Sequence, residues 1–284
     1  MNFLPHDIDK VIVPPIKCQG IKTKLIPFIS TSLSWKGDGK WVEPFLGSGV
    51  VAFNIAPERA LLGDTNRHII NFYNRIKSKE IDHTLIREAL QDMGNKLSKG
   101  KADYYYEIRD KFNAREDSIK FIFLNRSCFN GLMRFNGKGK FNVPFGQKPG
   151  RFSKAYITKI TNQVKNISEI IKDRDWEFIV SDWRNTLSKA KPKDFVYMDP
   201  PYIGRHTDYF NGWSMQDAID LSTQSQKLKC QFALSMWLEN KYRRNSHIDE
   251  HWTETVVKTF NHFYHVGSTE NLRNEVTEAL VMSQ

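Results

Sequence analysis

The sequence predicts an α/β fold built on a mainly parallel, doubly wound sheet, and three observations carry that expectation. Short apolar runs ending in polar or Gly/Pro punctuation recur along the chain, and helix-spaced stretches lie between several of them. The third is size: 284 residues with 40% hydrophobic content suffice for one large α/β domain or a core domain carrying an insert.

In chain order, Thr23 to Leu33 has helical spacing and Trp41 to Phe45 reads as the first buried strand. Ala60 to Asp64 reads as the second, followed by a helix over His68 to Ile76. About a hundred residues of different character come next, helical and highly charged from Ser78 to Lys120 and then rich in Asn, Gly and aromatics. They read as an inserted module, 77–154, interrupting a core made of 1–76 and 155–284. Within the insert, Arg134-Phe135-Asn136-Gly137-Lys138-Gly139-Lys140-Phe141 sets an Asn-Gly turn between residues suited to strands, which predicts a β-hairpin carrying basic side chains. The sheet resumes at Glu177 to Asp182, Asp194 to Asp199 and Gln231 to Ser235, and the segments Thr255 to Tyr264 and Val276 to Met282 can close it as an antiparallel hairpin.

Lys and Arg number 42 against 32 Asp and Glu, a formal net charge of +10, which favours a polyanionic partner bound through phosphate contacts. Cys18, Cys128 and Cys230 are isolated, so neither a disulfide framework nor a four-ligand zinc site is expected, and a reducing cytosol fits. The eight histidines show no metal spacing, and His262 and His265 fit a C-terminal strand. Met1 to Lys10 has no apolar signal region, and no window reaches the ~18 apolar residues of a membrane span, so no membrane partner is expected.

Two motifs carry chemistry. Asp199-Pro200-Pro201-Tyr202 follows the apolar run Phe195 to Met198, which puts it at the carboxyl end of a strand, where open α/β sheets bind ligands. An aromatic amine is a poor nucleophile because its lone pair is delocalised into the ring. Two acceptors holding its N–H groups, here Asp199 and the Pro200 carbonyl, would localise that pair toward an incoming methyl, while Tyr202 offers a face for stacking. The same four residues could also form only a rigid turn. Earlier, Glu43-Pro44-Phe45-Leu46-Gly47-Ser48-Gly49 is a strand end followed by a Gly-rich turn opening a helix. It lacks the third glycine of a dinucleotide fingerprint and the lysine of a phosphate loop, which favours a cofactor without phosphate. Asp64 ends the next strand, where a carboxylate can accept from ribose hydroxyls, although it could equally cap a helix.

Taken together, these motifs resemble the Dam-type family of adenine DNA methyltransferases over nearly the whole chain. The resemblance implies a Rossmann-like S-adenosylmethionine-dependent methyltransferase with a mostly helical inserted target-recognition domain bearing a β-hairpin. It places Lys17, Cys18, Lys22, Glu43, Phe45, Gly47, Gly49, Asp64, Asp182, Trp183 and Asp199 around the cofactor, and Asp199, Pro200 and Tyr202 at the flipped adenine. Lys17 and Arg134 match positions that contact guanine, Phe129 and Asn130 those that enter the base stack, and Leu132 and Pro144 those near a thymine methyl. Asn136 and Lys138 belong to the same DNA-facing hairpin. The runs Val13 to Lys17, Leu124 to Gly131 and Pro201 to His206 are similar to modification enzymes of this family, and imply GATATC as the site. They also imply a separate cognate restriction endonuclease and a monomer.

Alternatives stay open at this point. Phe129 and Leu132 could be core of the insert, and Lys138 and Lys140 a solvated hairpin tip. An RNA or protein-amide acceptor, or a catalytically silent DNA-binding module, would share parts of the pattern.

Overall fold

A computed structural model describes residues 3–202, 213–263 and 275–284. The tail of the third resemblance run, Ile203 to His206, and His265 lie outside the described residues, as does Tyr264 at the end of the predicted strand. The elements follow in order: α1 (Ile26–Ser32), β1 (Trp41–Glu43), α2 (Val50–Ile55), β2 (Arg59–Asp64), α3 (Arg67–Lys77), α4 (His83–Ala114), α5 (Ser118–Ser127) and α6 (Lys154–Ile171). After them come β3 (Asp175–Val180), α7 (Trp183–Leu187), β4 (Phe195–Met198), α8 (Met215–Ser225), β5 (Gln231–Asn240), β6 (Arg243–Arg244), α9 (Ser246–His251), β7 (Thr255–Phe263) and β8 (Glu275–Ser283).

The main sheet runs β3-β2-β1-β4-β5-β8-β7. The first five are parallel, while β8 lies antiparallel to both β5 and β7. The expected α/β architecture is therefore present, and the predicted closing hairpin is the β7–β8 pair. Successive residues of a strand point to opposite faces. Trp41, Leu62, Phe195 and Tyr197 accordingly join one buried cluster, and Val42, Leu61, Val196 and Met198 the other. Both faces are covered, which explains why these strands read as continuous apolar runs instead of alternating ones.

Short polar residues start the helices. Asn66, Asp82, Asp117, Ser153, Asp182 and Ser214 each accept a backbone N–H of the first turn of α3, α4, α5, α6, α7 and α8, which satisfies donors that the helix itself cannot. Within 77–154 α4 packs on α5, and it also packs across the boundary on α6, with a break at Lys101, where φ is +47°. The first buried cluster runs without interruption from Trp41 and Phe195 of the sheet to Leu90, Tyr105, Phe112 and Phe141 of this segment. Among the described residues, no helix is long and apolar enough to cross a membrane.

Four details differ from the sequence reading. β3 ends at Val180 and not at Asp182, because Asp182 caps α7 by accepting the Arg184 N–H. β1 stops at Glu43 because Pro44 has no N–H to continue the ladder. β5 extends past Ser235 to Asn240, since antiparallel pairing with β8 continues beyond its parallel pairing with β4. The hairpin in the insert turns later than its Asn-Gly pair suggests: Phe135 pairs with Phe141, the Gly139 N–H donates to the Asn136 carbonyl at 2.8 Å, and the left-handed residue is Gly139, φ +71°. A three-residue loop with a left-handed glycine at its end replaces the two-residue turn.

Candidate active site

The strand order reverses between β1 and β4, and the crevice at such a switch point is where doubly wound sheets bind ligands. Both chemistry-bearing motifs leave the sheet there, beside a cavity of about 250 Å³. Glu43, Phe45, Gly47 and Asp64 line it from β1 and β2, Asp182 and Trp183 from the end of β3, Asp199 from β4, and Cys18 and Lys22 from the N-terminal segment.

Of the two glycines after β1, only Gly47 lines the cavity. Both have left-handed φ, +52° and +75°, but Gly49 serves packing: a Cβ there would come within 2.6 Å of the Phe53 ring. Asp64 holds this turn to its own loop, taking the Gly47 N–H on Oδ2 and the Asn66 N–H on Oδ1, each at 2.8 Å. Burial raises its pKa despite these two donors. The cap of α3 is Asn66, so the capping alternative for Asp64 does not hold. Phe45, Trp183 and Trp213 supply an aromatic wall, with Phe45 6.3 Å from Trp183 in a stacked arrangement and 5.6 Å from Trp213 edge-on.

The other end of the cavity is ionic. Lys22 is 2% exposed, and its Nζ donates to Asp199 Oδ1 at 2.9 Å, to the Tyr202 hydroxyl at 2.7 Å and to the Gly20 carbonyl at 3.2 Å. Tyr202 in turn donates to Glu278 Oε2 at 2.8 Å, and Glu278 is fully buried on β8. Burial raises the Asp199 pKa, Lys22 pulls it back, and Glu278 adds to the rise. Asp199 keeps about a quarter of its surface exposed, and Oδ2 has no protein partner among the described residues. Beside it, the buried Glu43 accepts from Trp41 Nε1 at 2.7 Å, and burial pushes its pKa up to about 8. Pro200 and Tyr202 line a second, smaller pocket with Pro201 and Trp213.

Lys17, expected beside the cofactor, does not line this cavity. Its backbone N–H and carbonyl are both bonded to the Asn125 side chain, at 2.8 and 3.0 Å, which turns it toward the insert. Phe129 is 50% exposed and lies outside the core, Asn130 beside it has φ +53°, and the Phe129 N–H donates to the carbonyl of exposed Pro144. Leu132 is half-buried against the core, and Arg134 donates through Nε to Asn142 at 2.9 Å. The Asn136 side chain is used inside the turn, accepting the N–H groups of Lys138 and Lys140, whose side chains are exposed. Sequence reasoning missed Glu278, whose only signal is a carboxylate within the apolar run of β8. Asn125 stands out in the sequence as a polar residue after an apolar run, but its grip on the Lys17 backbone does not.

The model of the D12 class N6 adenine-specific DNA methyltransferases matches residues 19–272, most of the chain. The chain belongs to this class. A DNA adenine methylase of Serratia marcescens is 31% identical over 70% of this chain and 73% of its own length. Type II methyltransferase M.MjaIII of Methanocaldococcus jannaschii is 33% identical over 74% and 76%, and type II methyltransferase M1.LlaDCHI of Lactococcus lactis subsp. cremoris is 29% identical over 78% of each. As a D12-class enzyme the chain methylates adenine N6 in DNA.

Proposed function

We propose that the chain transfers a methyl group from S-adenosylmethionine to adenine N6 in double-stranded GATATC, as the modification half of a type II restriction-modification system. The observation that carries the reading is Asp199: one oxygen is pinned by Lys22 and the other is open at the cavity, on the strand end beside a second ligand-binding turn.

The cavity suits this donor chemically. Asp64 stands where ribose hydroxyls can be accepted, the Phe45, Trp183 and Trp213 wall suits a purine, and the Glu43 and Asp199 carboxyls suit positive charge. When bound, S-adenosylmethionine supplies a methyl on a sulfonium that is already a good leaving group. The protein's own part is positional. Lys22 fixes the Asp199 carboxylate so that Oδ2 can accept one N–H of the flipped base, and the Pro200 carbonyl accepts the other. The Tyr202 hydroxyl is tied between Lys22 and Glu278, which holds its ring ready for stacking. The methylated amine is acidic enough to lose its proton late, so no dedicated general base is required.

In this reading 77–154 is the target-recognition domain between catalytic segments 1–76 and 155–284. Exposed Phe129 and Asn130 enter the stack, Arg134 and Lys17 read guanine, Leu132 and Pro144 meet thymine methyls, and Lys138 meets the backbone. The enzyme works as a monomer on chromosomal DNA in the cytoplasm, with the nuclease a separate protein. The assignment of GATATC follows the likeness of three runs of the chain to EcoRV-type modification enzymes.

Transfer of labelled methyl to duplexes containing GATATC, beside duplexes substituted singly at each position, tests the whole reading. Label confined to GATATC adenine supports it, label at another site discards the specificity, and no label on DNA discards the function. Arg134→Ala should relax preference at one base pair by about 1–3 kcal/mol, roughly tenfold or more, because a bidentate guanine contact is lost. Unchanged discrimination would remove Arg134 from base reading. Asp64→Ala should weaken donor binding by about tenfold in calorimetry, since the Gly47 turn loses its anchor along with a hydroxyl acceptor. Wild-type donor affinity would dismiss that role.

A further inference from the structure

Three cations gather round one hydroxyl, that of Tyr156 on α6. Arg151 donates to it through Nη2 at 2.9 Å, with its guanidinium 4.4 Å from the ring centre, and its Nε reaches the Arg126 carbonyl at 3.2 Å. Arg126 lies 3.4 Å from the same hydroxyl through Nη1 and bonds Gln163 at 2.6 Å. Lys17 completes the group. Its stem runs against Gly131, where a Cβ would come within 2.6 Å of Lys17 Cδ, so any other residue there would displace it.

Among the described residues no carboxylate pairs with these cations. The charged neighbours acting on Arg126 are Arg151 and tyrosines, and those acting on Lys17 are Tyr156, Arg151 and Arg126. Elsewhere the chain pairs its clustered cations, as Arg184 with Asp217 and Asp220, and Arg244 with Glu239 and Asp249. Arg126 is 4% exposed, and its Nε is buried without a partner. Burial pushes the Tyr156 phenol up, yet Arg126, Lys17 and Arg151 outweigh it and leave the pKa below the usual value, which reports a strongly positive local field.

Like charges held together and partly desolvated raise the energy of the free protein, and an anion from outside relieves it. Arg151 is half-buried, and among the described residues only its Nε and Nη2 have partners, which leaves Nη1 for a ligand. The place is set by Gly131, the residue after exposed Phe129 and Asn130. We propose that Arg151 and Arg126 form a seat for one backbone phosphate of the DNA beside Lys17, with Arg151 making the contact and buried Arg126 strengthening the field behind it. The proposal rests on the DNA-methylating reading, and adds a contact that is blind to sequence.

The test is Arg151→Gln, with Arg151→Lys beside it, titrated with duplex DNA between about 50 and about 200 mM salt. Losing one phosphate contact should lower the slope of log K against log salt by about 0.9 and raise KM for DNA by roughly tenfold, with the loss confined to KM. Arg151→Lys should keep the wild-type slope. Sequencing of methylated genomic DNA should find the same modified motif in all three proteins. An unchanged slope in Arg151→Gln would overturn the seat, and an altered motif would overturn it in favour of base reading. Absence of any methyl transfer to DNA by the wild-type chain would instead overturn the underlying reading, and the seat with it.

Discussion

Asp199→Asn lowers turnover on duplex DNA by about 10²–10³-fold, the size of losing one oriented polar group in a preorganised site, while duplex affinity stays near wild type. The substitution keeps the shape of the side chain and a carbonyl for Lys22, but removes the charge that draws the N–H of the base. Asp199→Ala loses as much turnover and is less stable as well, because Lys22, 2% exposed, is left as a buried cation without the Asp199 carboxylate. Single-turnover methyl transfer and filter binding separate the two effects. Wild-type single-turnover rates in Asp199→Asn would remove the carboxylate from the chemistry.

The parts of this site visible in the sequence were those made by contiguous residues. Asp199 to Tyr202 and Glu43 to Gly49 each sit on one strand end, and a strand followed by Pro or Gly punctuation announces itself by period and composition. Asp64 was legible for the same reason. What holds these residues in place was not legible, because it is made across the fold: Lys22 reaches Asp199 and Tyr202, Tyr202 reaches Glu278 on β8, and Asn125 grips Lys17 across 108 positions. Nothing in local spacing reports such pairs. The hairpin shows a smaller version of this. Asn136-Gly137 signalled a turn, but Gly139 offered a second glycine, and the Asn136 side chain accepts the Lys138 and Lys140 N–H groups of the longer loop.

Glu43 gives the second large effect. Its carboxyl, ordinarily near 4.5, is pushed up to about 8 by burial, with the Trp41 N–H opposing and Asp199 adding to the rise. The folded protein therefore keeps a proton that the unfolded chain has lost, so this group's contribution is fully present below about pH 4.5, falls as pH rises, and is gone above about pH 8. Between those limits the donor-free protein should lose stability worth on the order of 4–5 kcal/mol from this one group. Glu43→Gln should flatten that part of the profile, making the variant more stable than wild type at pH 8. Denaturant melts across the range measure this, and parallel profiles for the two proteins would show that Glu43 is ionised throughout. A donor carrying positive charge favours the carboxylate, so its binding should release a proton near pH 7. Calorimetry in two buffers of different ionisation enthalpy detects that release.

The buried cluster that runs from Trp41 and Phe195 into Leu90, Tyr105, Phe112 and Phe141 has an evolutionary corollary. A segment that shares its interior with the sheet cannot be transplanted whole between relatives without leaving gaps on both sides of the cut. Chimeras joined at residues 77 and 154 should express poorly, however well their surfaces match. On the proposed reading, new target preferences in this lineage then arise by drift at half-buried rim positions such as Lys17 and Arg134, over an interior that is inherited nearly unchanged.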